Sequence, residues 1–259
     1  MGGSGVQGSS MRGTINLSSS CVKIATDISG GQADVPIKHT YAEHGDACRA
    51  ANALDIVGDR WSLIIAREVM LSPKRFADLL ASVRGITPSV LTERLRALTG
   101  SGVIERVVLP DLGRTRIYRA TDWGRGLEPV LESLGRWYTS GPEPQTQGGM
   151  TPDGVVLAMR TMAPATSAPV APLALVLYDE RVTDSPSFGY AVASADGRLT
   201  VTPGLPASGA PTSVRADATA WSELLFGSTP LASAEATEQV VIAGDRDAVA
   251  DLIDLFRAG

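Results

Sequence analysis

Arginines and short hydroxyl side chains spaced along one stretch of about seventeen residues are the groups of this chain best placed for chemistry. Residues 82–98 run Ser-Val-Arg-Gly-Ile-Thr-Pro-Ser-Val-Leu-Thr-Glu-Arg-Leu-Arg-Ala-Leu. Gly85 supplies a tight turn, Thr87 an N-cap, and Pro88 a first helical residue whose missing N–H costs nothing. Leu91, Leu95 and Leu98 stack on one face of the helix that follows. With Leu91 as zero, Arg96 falls at about 140° and Ser89 at about 160°, opposite that face, whereas Arg94 falls at about 300°, on its flank. A helix buried on one side and offering Ser89, Thr92 and Arg96 on the other suits the major groove of duplex DNA, where Arg forks onto guanine. Thr87, Ser89, Thr92, Arg94 and Arg96 are therefore the expected contacts of this segment, with Arg94 read equally as an ion pair within the domain.

Other charged and reactive groups extend this surface or stand apart from it. Arg114 and Arg116 follow the turn Pro110-Asp111-Leu112-Gly113, where they would meet phosphate or the minor groove, or else stay solvated. Lys74 and Arg75 open a short helix and are expected to face backbone phosphate, although Arg75 could equally serve the fold. Cys48 lies near an expected helix start and before Arg49, an environment that lowers a thiol pKa, while Asp46 opposes the effect. It reads either as a redox-sensing thiol or as a small packed residue. His39, His44 and Cys48 lack tight metal-ligand spacing, so neither a metal nor a cofactor is expected. Phe188, Tyr190, Trp221, Leu225 and Phe226 either line a cavity for a small apolar ligand or form plain core. No nucleophile elbow, phosphate loop or paired catalytic carboxylates occur in supporting context, which argues against an enzyme.

The elements that must position these groups divide the chain. Residues 1–40 are rich in Gly and Ser, lack periodicity, and read as a disordered leader, a cloning scar or an early start; Cys21 lies within it. Helices are predicted over 47–58, 60–70, 74–80 and 87–99, then strands over 103–109 and 115–120, then a closing helix over 126–138. Helix, helix, recognition helix, two-stranded wing and helix describe a winged helix-turn-helix over 41–140. A Gly/Pro/Gln/Thr linker fills 141–149. From 150 to 259 the spacing predicts helices over 152–162, 218–226 and 245–256, with strands over 173–178, 188–193, 199–203 and 239–243. The fold class expected is α+β, the second domain being built on an antiparallel sheet, with a hairpin at Asp196-Gly197.

Composition bounds the partners. The 259 residues are 44% apolar and 20% charged, as in a soluble globular protein. No apolar run is long enough to cross a bilayer and no export signal opens the chain, so a reducing cytoplasm is expected, without a membrane partner. The net charge of −5 is unevenly spread. Residues 41–141 carry fourteen basic and twelve acidic groups, whereas 142–259 carry six and fourteen. Any contact with double-stranded DNA therefore belongs to the first region. Arg outnumbers Lys twenty to three, favouring forked contacts to guanine and phosphate, a ratio that a GC-rich genome also produces.

The first domain resembles the HxlR family of bacterial winged helix-turn-helix regulators. Cys48, Leu54-Asp55-Ile56-Val57-Gly58-Asp59-Arg60-Trp61, Arg67-Glu68, Arg75-Phe76 and Leu79 carry the likeness. It continues through Gly85-Ile86-Thr87, Leu91-Thr92-Glu93-Arg94-Leu95, Gly102-Val103-Ile104-Glu105-Arg106, Tyr118, Thr121, Gly124, Pro129-Val130-Leu131 and Trp137. The resemblance implies a homodimer, joined through its first and last helices, on an inverted-repeat operator. It also places Cys48 at the cysteine that thiol-sensing members use. The second domain is similar to the sterol-carrier-protein-2-like fold through Trp221–Gly227, Gly244-Asp245, Ala248-Val249 and Leu252–Phe256, which implies a tunnel for an apolar ligand. The expectation is a ligand-responsive transcriptional regulator. Its competitors are a regulator switched by Cys48 and a lipid or small-molecule carrier with a vestigial DNA-binding half.

Overall fold

Leu91, Leu95 and Leu98 are buried in the computed structural model, and the helices and strands around them assemble as their spacing requires. The structure describes residues 1–2, 40–110, 114–142, 148–164, 169–206 and 209–257. Expectations for most of the leader, with Cys21 and His39, for the wing tip at 111–113 and for much of the linker fall outside these residues. Thr40–Gly259 form one compact unit containing two apolar cores.

The first core is enclosed by α1 (Arg49–Val57), α2 (Ser62–Glu68), β1 (Lys74–Arg75), α3 (Phe76–Ser82), α4 (Pro88–Gly100), β2 (Ile104–Val108), β3 (Arg116–Ala120), α5 (Asp122–Arg125) and α6 (Glu128–Thr139). Thr87 Oγ1 accepts Val90 N–H at 3.4 Å and caps α4; Gly85 turns the chain before it at a φ of +84°, a conformation costly for other residues. The leucines of α4 pack with Ile65, Leu79 and Ile104. β2 pairs antiparallel with β3, setting Arg106 opposite Tyr118 and Val108 opposite Arg116. The helix predicted from residue 74 instead begins at Phe76. Lys74 and Arg75 are extended and pair with Tyr118 and Ile117, adding a third strand to the wing in the order β1-β3-β2.

The second core lies between α7 (Pro152–Met162), β4 (Leu173–Tyr178), β5 (Phe188–Ala195), β6 (Arg198–Pro203), β7 (Thr212–Asp217), α8 (Ala218–Phe226), α9 (Leu231–Ala236), β8 (Val240–Ala243) and α10 (Arg246–Arg257). Asp196 and Gly197, at φ of +50° and +71°, turn β5 into β6 as the sequence predicts. The expected antiparallel sheet is corrected to a mixed one: the strand order is β6-β5-β4-β7-β8, and β4 and β7 run parallel. β7 escapes a sequence reading because only Val214 among its inward residues is large and apolar. It lies beside β4 because Asp217 ties their ends together. One carboxylate oxygen accepts Glu180 N–H at 2.9 Å, and the other caps α8. The short helix α9 likewise has no signal of its own. α7 joins the two cores: Val155, Val156 and Met159 belong to the second, while Leu157 belongs to the first.

Candidate nucleic-acid interface

The polar face of α4 is the outward one. Ser89, Thr92 and Arg96 are exposed along it. Thr92 Oγ1 donates to Pro88 O at 2.8 Å, and Ser89 Oγ lies 3.1 Å from Thr87 Oγ1. Both hydroxyls thus satisfy themselves locally and keep acceptor capacity for a ligand. Arg94 behaves differently. Only 22% of its side chain is exposed, and its guanidinium lies 3.6 Å from Asp59 and 2.6 Å from Glu93. Of its two sequence readings, the internal ion pair is the one formed in this conformation.

The wing adds cations beside the helix. Arg96, Thr92 and Thr99 of α4 line a concavity of about 430 Å³ together with Arg106 and Tyr118 of the wing. Arg106 was not among the residues singled out from sequence. The available signal was strand alternation: Ile104 faces the core, so Arg106 two residues on shares its side. Arg114 and Arg116 are exposed at the wing's outer end, Arg114 at a φ of +45°. Arg119, by contrast, is opposite Glu105 in register and bonded to it at 2.7 Å. Arg75 is exposed, and its N–H donates to Asp78 at 3.0 Å, fixing the start of α3.

Lys74 requires a correction. Expected on phosphate, it is only 3% exposed, because β1 turns its side chain inward, toward the second core. Its ammonium donates to Glu68 O at 2.6 Å, stands 3.4 Å from Glu68 Oε2 and pairs with Asp153. Arg67 and Thr151 each reach Glu68 Oε1 at 2.8 Å. Ser72 Oγ at 3.0 Å and Tyr190 OH at 2.6 Å donate to Asp153. Burial pushes the Glu68 carboxyl up, but Lys74, then Arg67 and Thr151, more than offset this and hold it below its ordinary range. Burial, then the Asp153 carboxylate, raises the Tyr190 phenol far above its own, so it stays a donor. Two buried anions share one buried cation across the junction of the two cores.

Cys48 is exposed and stands at the N-cap of α1. Backbone N–H groups of Ala51, then Ala50, hold its thiol below the ordinary range. The five aromatic and apolar residues expected around a ligand do not meet in one cavity. Tyr190, Trp221 and Leu225 are fully buried core, with Trp221 Nε1 donating to Met159 Sδ at 3.5 Å. Phe226 is partly exposed and packs edge-on against Phe256 at 5.5 Å. Phe188 lines a separate cleft, and Lys74 stands 5.3 Å from its ring centroid. Among the described residues no group of three His, Cys, Asp or Glu is placed to hold a metal, and no helix is long and apolar enough to cross a membrane.

Against known proteins, this arrangement has clear relatives. The HxlR-like helix-turn-helix family matches residues 56–146. The helix-turn-helix transcriptional regulator YvaP of Bacillus subtilis (strain 168) is 32% identical over 96 residues, 37% of this chain and 89% of its own. YodB from the same organism, also an HTH-type transcriptional regulator, is 32% identical over 93 residues, 36% of this chain and 83% of its own. The solved reduced form of YodB is 31% identical and covers 39% of this chain and 99% of that one, with a TM-score of 0.36. The chain belongs to the HxlR-like helix-turn-helix family and is a bacterial transcriptional regulator. The family match ends at residue 146, so the second core stands outside it.

Proposed function

We propose that the protein is a homodimeric, cytoplasmic regulator that reads an inverted-repeat operator through α4. In this reading the second half, likened above to sterol-carrier-protein-2, binds a small apolar molecule that tunes operator affinity. The observation that carries it is the exposed row Ser89, Thr92 and Arg96 beside Arg106, Arg114 and Arg116 of the wing. This face can combine base-edge and phosphate contacts, and two copies would meet half-sites about one helical turn apart or a multiple of it. Thr87 and Arg75 flank that row and are assigned phosphate. Dimerisation is supported by α6, whose Val130, Leu134, Trp137 and Tyr138 are exposed, Trp137 at 71%, and by the exposed Leu54 of α1. Apolar surface of that extent on one helix marks an interface.

The test is binding of the full chain to duplex DNA from its own promoter region across a salt series. Selective binding with a steep salt dependence, lost in Arg96→Ala, supports the reading. Salt-insensitive or absent binding by both proteins would sink it. A second reading, a switch at Cys48, is favoured by the exposure and lowered pKa of that thiol. It predicts that oxidant changes operator affinity in the wild type and not in Cys48→Ser.

A further inference from the structure

A cleft of about 200 Å³ opens between α3 and the second half of the compact unit. One wall is the outward side of α3 with Ala77 and Ala81; the other is the segment 179–186; Pro152 and Phe188 complete it. The far wall is braced by its own hydrogen bonds. Asp179 N–H donates to Ser185 Oγ at 3.0 Å, and Arg181 clasps Asp179 through two bonds of 2.7 Å. Arg181 also reaches Met150 O at 2.9 Å. Such bracing reduces the ordering cost of binding.

Size and charge define what fits. An apolar cavity of roughly 150 Å³ accepts a benzene ring, so this cleft takes one ring with a short substituent. Three carboxylates line it, those of Asp78, Asp179 and Asp184, against the single ammonium of Lys74. Lys74 is consumed by Glu68 and Asp153, and Asp179 by Arg181. Asp184 is exposed, held at a φ of +54°, and has no partner among the described residues. The uncompensated charge is therefore negative.

We propose that this cleft binds a small amphipathic cation, an arylalkylamine, with its ring against Ala81, Pro152 and Phe188 and its ammonium at Asp184 and Asp78. This deepens the ligand-responsive reading above, on which its regulatory consequence rests. Lys74 lines the cleft and also belongs to β1, which pairs with the wing strand β3. A ring seated on Phe188 bears on the Lys74 ammonium beside it. Occupancy then favours one placement of the wing over another, to the extent that the ligand contacts the two placements differently.

Calorimetry on the full chain with 2-phenylethylammonium, 2-phenylethanol and phenylacetate tests the site. Affinity on the order of millimolar is expected for the cation, given its nine heavy atoms, with weaker binding of the alcohol and none of the acid. Ala81→Trp fills the cleft from an exposed helical position and should abolish binding. Asp184→Asn should weaken the cation about two- to fivefold and leave the alcohol unchanged. Equal binding of all three probes, no binding of the cation, or undiminished binding in Ala81→Trp would each overturn the assignment. Operator affinity measured with the same probe separates the two claims. Binding at the cleft without an operator effect keeps the site and removes the ligand-responsive reading. An operator effect that persists in Ala81→Trp keeps that reading and removes the site.

Discussion

Two arginines two residues apart on α4 have opposite surroundings because a helix turns about 100° per residue. Arg96 is exposed, whereas Arg94 is drawn back to Asp59 and Glu93. Arg96→Ala should therefore cost ~1–3 kcal/mol of specific operator binding and relax base preference, as competition between operator variants would measure. Arg106→Ala should weaken all sequences alike and flatten the salt slope by about one. Arg119→Ala, whose guanidinium is already taken by Glu105, is the matched control and should leave the slope unchanged. At Cys48, the first N–H groups of α1 stabilise the thiolate. Its alkylation rate should reach half its maximum at a pH below that of an ordinary free thiol, near 8.5.

Elements, rather than single side chains, set the angle between wing and closing helix. α5 crosses the residue leading into β2 so closely that a Cβ on Gly124 would stand 2.0 Å from Val103 O. Thr121 Oγ1 fixes the crossing, donating to Gly102 O at 2.7 Å and accepting Gly124 N–H at 3.0 Å. Gly124→Ala must move backbone, and a loss of about 2–3 kcal/mol in urea unfolding is expected. The next helix, α6, has an apolar stripe of clear helical spacing, yet none of its residues is buried within the chain. Leu134→Glu with Trp137→Glu should shift the protein to a monomer in sedimentation velocity while leaving its helical content unchanged. Sequence periodicity predicted the stripe; it could not say that Leu131 would pack on the first core while Val130, Leu134 and Trp137 stay exposed.

At the scale of the whole molecule, the cluster of Glu68, Lys74 and Asp153 binds the two cores into one unit. Removing the shared cation by Lys74→Met leaves the buried Asp153 without a counter-charge and Glu68 with Arg67 alone, and should cost ~3–5 kcal/mol in urea unfolding. Adding Glu68→Gln and Asp153→Asn should recover much of that loss. Because the folded Glu68 carboxyl lies below its ordinary value, its contribution is present above about pH 4.3 and disappears as pH falls through the folded pKa. Urea midpoints from pH 7 to 3 should therefore fall less steeply in Glu68→Gln than in the wild type.

What the sequence alone determined was local. Helical spacing of Leu91, Leu95 and Leu98, the Thr87-Pro88 start and the Asp196-Gly197 turn depend on near neighbours, and they stand where those neighbours put them. The outward side of α4 followed from the same periodicity, and the mixture of helices and strands from the alternation of patterns. Tertiary structure alone decided the fate of Lys74, the parallel seat of β7 and the burial of Trp221 as core with Phe188 at its edge. Each depends on partners far along the chain, such as Asp153 for Lys74, 79 residues away. A lysine beside an arginine looks the same to a local pattern whether it meets phosphate or a buried carboxylate. Only the packing of α7 against the winged half distinguishes them, because it brings the second charge within reach.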